Sequence, residues 1–271
     1  MAQTDTPRES LGVGSLIGET FSIFFRRIVH FVILGSVILA ITTTLSGLLF
    51  GFDTVFGLSA DESDPFANPV VANPGAFLAT ILIGMLGFGF MTACFMLMAY
   101  DAKLGRPARI GGYVMVAARF VLPIAILTLA VSILIGLGAV LFVIPGLWVM
   151  AVFSVVVPCI VIEGAGFGAM GRSSELTKGY RWPIVGLYIV CVLLFIVVAA
   201  VVGGVVGAVS FATIPAGTVA GAGSILTLVI VQSLGNAIAY GFMSVAAAVV
   251  YARLREIKDG VAVSSLVEVF S

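Results

Sequence analysis

Charged side chains are scarce in this 271-residue sequence, because Asp, Glu, Lys and Arg together make up only 10% of it. Soluble domains carry about 25% charged residues, and here the apolar share reaches 61%. So few polar side chains cannot cover a water-facing surface, and the mean hydropathy of +1.24 agrees with this. The composition therefore excludes a soluble globular protein and indicates that a lipid bilayer surrounds most of the chain.

Histidine and cysteine are almost missing as well. The single histidine, His30, excludes any site that needs two imidazoles, and the three cysteines do not have the spacing of a metal or redox motif. Thirteen basic and thirteen acidic residues cancel, so no overall charge points to nucleic acid. No nucleophile is placed with a base. We therefore expect no catalytic residue, no metal, no cofactor and no nucleic-acid partner.

Long apolar runs dominate what is present. A membrane-spanning helix needs about 20 mostly apolar residues, and the sequence contains six such runs. We predict an all-α polytopic membrane protein in which the third and fourth spans are separated by a tight reversal at Ile144-Pro145-Gly146. An amphipathic segment (1–27) precedes the transmembrane domain (28–252), and a tail (253–271) follows. The six predicted spans are 28–50, 76–100, 120–143, 147–162, 183–209 and 225–252.

Lysine and arginine are distributed on one side of this layout. The connections 51–75, 144–146 and 210–224 contain neither residue, and all thirteen basic residues fall in the remaining segments. Basic residues are enriched in cytoplasmic loops of membrane proteins. The pattern therefore predicts that both termini are cytoplasmic.

Three of the basic segments have a similar order of parts. Apolar residues at helical spacing precede a basic and aromatic anchor at Arg27, Arg119 and Arg181, and two spans follow each anchor. Each segment is typical of an amphipathic helix that lies in the membrane interface. We predict three units, each an interfacial helix followed by a hairpin of two spans. The apolar residues are Leu16, Ile17, Phe21, Phe24 and Phe25 in the first unit, Tyr113, Val114, Val116 and Ala117 in the second, and Phe167, Met170 and Leu176 in the third.

The densest charged cluster contains Arg172, Lys178 and Arg181, together with Glu163 and Glu175. One interpretation is that these residues only orient the chain, with their aliphatic stems along the bilayer. The other is a site for the headgroup of an anionic lipid, in which Arg181 contributes most because a guanidinium holds phosphate through two parallel hydrogen bonds.

Polar residues in the last span form a second candidate site. Gln232, Asn236, Tyr240 and Ser244 are spaced four residues apart and therefore follow one slowly turning face of the helix. They are explained either by hydrogen bonds between helices or by a path or cavity for a solute or lipid. A continuous cavity that reaches Asn236 would favour transport, and a close-packed centre would favour a structural role.

Two segments resemble a known bacterial family. Pro158 to Trp182, PCIVIEGAGFGAMGRSSELTKGYRW, and Tyr251 to Gly260, YARLREIKDG, are similar to the membrane domain of the glycerophosphoryl diester phosphodiesterase family and its stand-alone relatives. The resemblance implies a location in the bacterial inner membrane. In two-domain relatives the phosphodiesterase chemistry lies in a soluble barrel, and the resemblance implies a membrane module without that barrel.

The sequence thus leads to two expectations about function. The first is a non-catalytic inner-membrane protein that acts in envelope or lipid organisation through bound lipids or partners. The alternative is a transporter of a small solute or lipid. Membrane lipids, anionic ones among them, are the expected partners, while the identity of protein partners and the oligomeric state stay open.

Overall fold

The computed structural model describes residues 12–56, 74–141, 143–213 and 221–260. Within these ranges the chain is helical and contains no β-strand. The predictions for Arg8, most of the acidic connection 51–75 and most of the tail lie outside the described residues. The helices are α1 (Val13–Arg26), α2 (Ile28–Phe50), α3 (Phe52–Val55), α4 (Pro74–Lys103), α5 (Ile110–Leu141), α6 (Val143–Phe153), α7 (Val156–Val161), α8 (Ala169–Thr177), α9 (Arg181–Thr213) and α10 (Ala222–Asp259), with a 3₁₀ turn at Gly166–Gly168.

Six segments of the described chain are long and apolar enough to cross a membrane. This confirms the prediction of an all-α polytopic protein with six spans. The last helix differs from the prediction, because α10 continues to Asp259 instead of ending at 252. The six segments are Ile28–Phe50, Leu78–Lys103, Ile110–Val140, Ile144–Val161, Arg181–Ala212 and Ala222–Asp259.

The fourth span is a broken helix. α6 ends at Phe153 and α7 begins at Val156. Pro158 explains the break, because it has no N–H for the carbonyl of Ser154 and its ring would clash with that carbonyl in a continuous helix. Pro158 is instead accommodated in the first turn of α7, where an intrahelical N–H bond is not needed.

The predicted reversal at Ile144-Pro145-Gly146 is wrong, because α6 begins at Val143 and already contains these residues. Pro145 is tolerated there since it lies in the first helical turn. Gly146 serves close packing: a Cβ at this position would lie 3.0 Å from the Cβ of Ala139 on α5. The glycine thus allows α5 and α6 to approach each other.

The three-unit prediction is confirmed in part. α2 packs on α4, α5 on α6, and α9 on α10, so each predicted hairpin is a packed pair. The first and third units also have a separate preceding helix, α1 and α8. The second unit does not, because α5 runs without interruption from Ile110 through Arg119 and Pro123. No residue of 110–119 leaves the helical conformation, whereas Arg27 (φ −126°) and Gly179 (φ +92°) interrupt the chain in the other two units.

α10 is the central helix of the bundle, and α1, α2, α4 and α9 all pack against it. Its glycine at 241 lies beside Phe24 and Phe31, and Gly35 of α2 lies against Phe95 and Ala237. α1 directs Leu16, Ile23 and Phe24 into this core, so its apolar face is covered mainly by protein. The rings that meet where α1, α2, α4 and α10 join are Phe21, Phe24, Phe31, Phe95 and Phe242.

Candidate functional site

A network of ionic side chains joins α7, α8 and α10 at one end of the bundle. We call this end the basic end, because the described Lys and Arg residues, which occur near helix ends and in loops, lie on this side of the bundle. Arg172 Nε lies 3.0 Å from Glu163 Oε2, and Arg172 Nη2 lies 2.5 Å from Asp259 Oδ2. The phenol of Tyr251 donates to Glu163 Oε1 over 2.9 Å. Arg255 lies 3.8 Å from Glu163 and 3.5 Å from Asp259. These five residues form the junction cluster.

The junction cluster contains two basic and two acidic residues, so its formal charge is balanced. Tyr251 is fully buried, and the four charged members are largely shielded from solvent, with side-chain exposures between 18% for Glu163 and 31% for Arg172. The hydrogen bond that Arg172 donates to Glu163 raises the pKa of the Arg172 guanidinium above its ordinary value. Arg172 is therefore charged throughout the physiological pH range and is held by two carboxylates.

The two segments that carry the family resemblance meet in this cluster. Glu163 and Arg172 come from the segment 158–182, and Tyr251, Arg255 and Asp259 come from the segment 251–260. Lys258 adds a further link by donating to the carbonyl of Glu175 over 2.8 Å. The pairing gives these residues a structural role, which is to fix α8 against the end of α10.

Residues of the segment 158–182 also cap the broken fourth span. The last carbonyls of a helix have no intrahelical partner. At the end of α6, the carbonyl of Val152 accepts hydrogen bonds from Ser173 Oγ at 2.8 Å and Thr177 Oγ1 at 3.2 Å. Both hydroxyl side chains are fully buried. Ser173 and Thr177 thus stabilise the break between α6 and α7.

The predicted headgroup residues Arg172, Lys178 and Arg181 have different surroundings. Arg172 is engaged by Glu163 and Asp259, whereas Lys178 is exposed at the end of α8. Arg181 places its guanidinium 5.3 Å from the ring centroid of Trp148, and its Nε is buried without a hydrogen-bond partner in the described chain. Trp182 packs edge-on against the same ring and is 66% exposed. Among the described residues, Lys178 and Arg181 thus have no carboxylate partner, whereas Arg172 has two.

The predicted polar stripe runs along α10 from its half-buried to its buried part. Gln232, Asn236 and Tyr240 are half-buried, and Ser244 is buried. The ring of Tyr240 lies 5.2 Å from Phe88 of α4 and 5.7 Å from Phe195 of α9. Tyr240 therefore contacts two helices that flank α10.

A cavity of about 380 Å³ opens beside Tyr240. It lies between α5 and α10, each of which packs on α4. Its wall is mainly apolar, with hydroxyl groups from Thr128, Ser132 and Tyr240. Asn236 is not part of this wall, so the cavity reaches the stripe at Tyr240 alone. The residues that line it are Ile81, Gly84, Met85, Phe88, Ala125, Thr128, Leu129, Ser132 and Tyr240.

Two acidic residues that the sequence analysis did not single out organise the rest of the basic end. Glu19 of α1 lies 2.8 Å from Lys103 Nζ and 3.3 Å from Arg253 Nε. Asp101 of α4 accepts a 2.8 Å hydrogen bond from Tyr113. The partners of Glu19 are remote in sequence, whereas those of Asp101 come from the α4–α5 link and the start of α5. The described residues contain no group of three or more His, Cys, Asp or Glu side chains placed to hold a metal ion.

Comparison with known proteins adds no relative to this description. No family model, no curated protein and no solved structure matches the chain.

Proposed function

We propose that this chain is a non-catalytic protein of the bacterial inner membrane that acts in envelope or lipid organisation by holding membrane lipids. The observation that carries this proposal is the cavity beside Tyr240. It is bounded by helices that are long and apolar enough to cross a membrane.

The position of the cavity favours a hydrocarbon chain as its occupant. Tyr240 precedes Tyr251 of the junction cluster by about eleven residues, or roughly 16 Å along the helix axis. Since the hydrocarbon core is about 30 Å thick, this places the cavity near its middle. Ile81 and Leu129 of its wall are exposed on the bundle, which gives lipid access.

Filling by an acyl chain also follows from packing. A void of 380 Å³ would forfeit dispersion contacts along its entire wall. Water fills a cavity only where each molecule finds about two to four polar partners, and three hydroxyl groups cannot serve the roughly twelve water molecules that this volume would hold at about 30 Å³ each. An acyl chain meets the apolar wall and leaves the three hydroxyls to bond to each other or to backbone carbonyls.

Lipid analysis of a cavity-filling variant tests the proposal. Gly84 lines the cavity and a Cβ there meets no heavy atom within 4 Å, so Gly84→Leu should place its side chain in the cavity. Gly136→Leu on α5 is the matched control, because its Cβ also meets nothing and it does not line the cavity. We expect mass spectrometry of the protein in native membrane patches to find less retained lipid for Gly84→Leu than for Gly136→Leu. Equal lipid retention in both variants would contradict the proposal.

The orientation is part of the proposal. With the basic end in the cytoplasm, both termini and the segments 101–118 and 163–182 face the cytoplasm, as the distribution of basic residues favours. Reporter fusions after Ala60 and after Ser271 should report opposite compartments. The same compartment for both would overturn this orientation.

The alternative function is transport of a small solute or lipid. It is favoured by one observation, the half-buried amides of Gln232 and Asn236, which lie about two turns and one turn from Tyr240 along α10. Flux of polar metabolites into vesicles that contain the purified protein tests it. If flux is found and Asn236→Leu abolishes it while Gly84→Leu leaves retained lipid unchanged, transport replaces lipid holding as the function.

A further inference from the structure

The ionic clusters at the basic end differ in charge balance. The junction cluster has two basic and two acidic residues, and the group of Glu19, Lys103, Arg253 and Glu256 is balanced in the same way. A third group, at the link between α4 and α5, has three arginines and one carboxylate. We call Arg27, Arg106, Arg109 and Asp101 the arginine cluster.

Contacts across three elements build the arginine cluster. Arg27 lies at the break between α1 and α2, and its Nη2 donates to the carbonyl of Arg106 in the α4–α5 link. Arg106 Nη1 lies 3.9 Å from Asp101 Oδ1, and Arg109 Nη2 lies 3.5 Å from Asp101 Oδ2. Asp101 itself is buried, with 8% of its side chain exposed. The single carboxylate therefore leaves a formal charge of about +2 in the cluster.

Donor groups of these arginines are unused in the described chain. Arg27 Nη1 is buried and has no hydrogen-bond partner there. The guanidinium groups of Arg106 and Arg109 approach Asp101 only at ion-pair distances that are too long for good hydrogen bonds. Their side chains are 34% and 66% exposed, so a ligand can reach them. In the junction cluster, by contrast, Arg172 bonds directly to two carboxylates.

We propose that Arg27, Arg106 and Arg109 bind a phosphate group. Guanidinium groups match phosphate oxygens through parallel charge-assisted hydrogen bonds, and a phosphate monoanion or dianion would balance the remaining charge. The cluster lies where α4 ends and α5 begins, between two helices that are long and apolar enough to cross a membrane, so it falls beyond the ends of their apolar runs. This is the level of lipid phosphates, so an anionic phospholipid is the expected source, and a soluble phosphate compound shares the same chemistry.

The test measures binding of one phosphatidylglycerol molecule to the full chain in neutral detergent, by native mass spectrometry. Arg109→Gln should weaken binding by about tenfold, because it removes charge-assisted hydrogen bonds. Arg109→Lys should weaken it by an intermediate factor, since an ammonium keeps the charge but not the paired geometry. Arg119→Gln is the matched control: it also removes one arginine charge from α5, and its guanidinium packs over the ring of Phe120, outside the cluster.

The outcomes separate the sources of phosphate and the two proposals. If inorganic phosphate binds the wild type and loses affinity in Arg109→Gln while phosphatidylglycerol does not, the ligand is a soluble phosphate compound. Equal effects of Arg109→Gln and Arg119→Gln, or no binding of either probe to the wild type, would overturn the site. Because Arg109 is exposed, we expect all variants to elute and unfold like the wild type. The cavity beside Tyr240 is tested by different variants, so either proposal can fail alone.

Discussion

The junction cluster and the arginine cluster are built from the same residue types at the same end of the bundle, but they differ in how their charges are satisfied. In the junction cluster, Arg172 meets two carboxylates at 2.5 and 3.0 Å, Arg255 lies 3.5 and 3.8 Å from the same two carboxylates, and the numbers of positive and negative groups are equal. In the arginine cluster, three guanidiniums share one carboxylate, and the ion-pair distances are 3.5 and 3.9 Å. A balanced group that bonds internally stabilises the fold, whereas an unbalanced group with free donors has capacity for a ligand.

Removal of one carboxylate from the junction cluster should have the largest effect on stability. Glu163→Gln leaves Arg172 and Arg255 with Asp259 alone, and breaking a largely buried ion pair costs about 3 kcal/mol. We discount this to roughly 2 kcal/mol because the partners are partly exposed. Thermal unfolding in detergent measures the change. Glu175→Gln on the exposed side of α8 is the control. An equal decrease in the unfolding temperature of both variants would contradict a stabilising role for Glu163.

Removal of the carboxylate from the arginine cluster should lower stability less than Glu163→Gln does. It should also strengthen anion binding. Asp101→Asn keeps an acceptor for Tyr113, and we expect it to cost about 1 kcal/mol, since Arg109 is mostly exposed. It should also tighten binding of phosphatidylglycerol by roughly fivefold, because the remaining positive charge increases by one. Glu163→Gln should leave that affinity unchanged. If both variants raise it equally, the two clusters do not differ in the proposed way.

The smallest effect concerns the headgroup site predicted from Lys178 and Arg181. A juxtamembrane basic residue contributes about 1 kcal/mol of attraction to an anionic surface, so Arg181→Ala should reduce co-purifying anionic lipid by at most about fivefold and leave insertion intact. Arg181→Lys keeps the charge and controls for the stacking on Trp148. Native mass spectrometry of these proteins measures lipid occupancy, and equal occupancy in wild type and Arg181→Ala would leave these charges with an orienting role only.

The number and type of the spanning helices could be predicted from the sequence because they depend on local composition. Twenty apolar residues without a charge have few alternatives to a membrane helix. Helix boundaries were less predictable, since they depend on single residues. Pro145 and Pro158 are both compatible with a first helical turn or with a break, and only the packing of α6 against Ala139 and Ser173 distinguishes the two cases.

The polar network at the basic end could be predicted only in part. The sequence pointed to Arg172, and its ordinary explanation as an orienting charge was reasonable for a juxtamembrane residue. Glu163 stands in the same cluster of the sequence, but its direct ion pair with Arg172 and the second partner, Asp259 at the end of α10, become visible only in the fold. The arginine cluster depends in the same way on a contact from Arg27 to the carbonyl of Arg106, which joins two distant parts of the chain.

The central position of α10 has a consequence for biogenesis. Glu19 and Glu163 each have one cationic partner that precedes α10 in the chain, Lys103 and Arg172, but their other partners lie on α10, which follows every other described helix in the order of synthesis. Five spans are therefore synthesised before Arg253, Tyr251 and Arg255 can complete these contacts. The faces of α1, α2, α4 and α9 that pack on α10 therefore stay uncovered until α10 inserts. A quality-control protease or chaperone would have access to these faces until translation of the helix is complete.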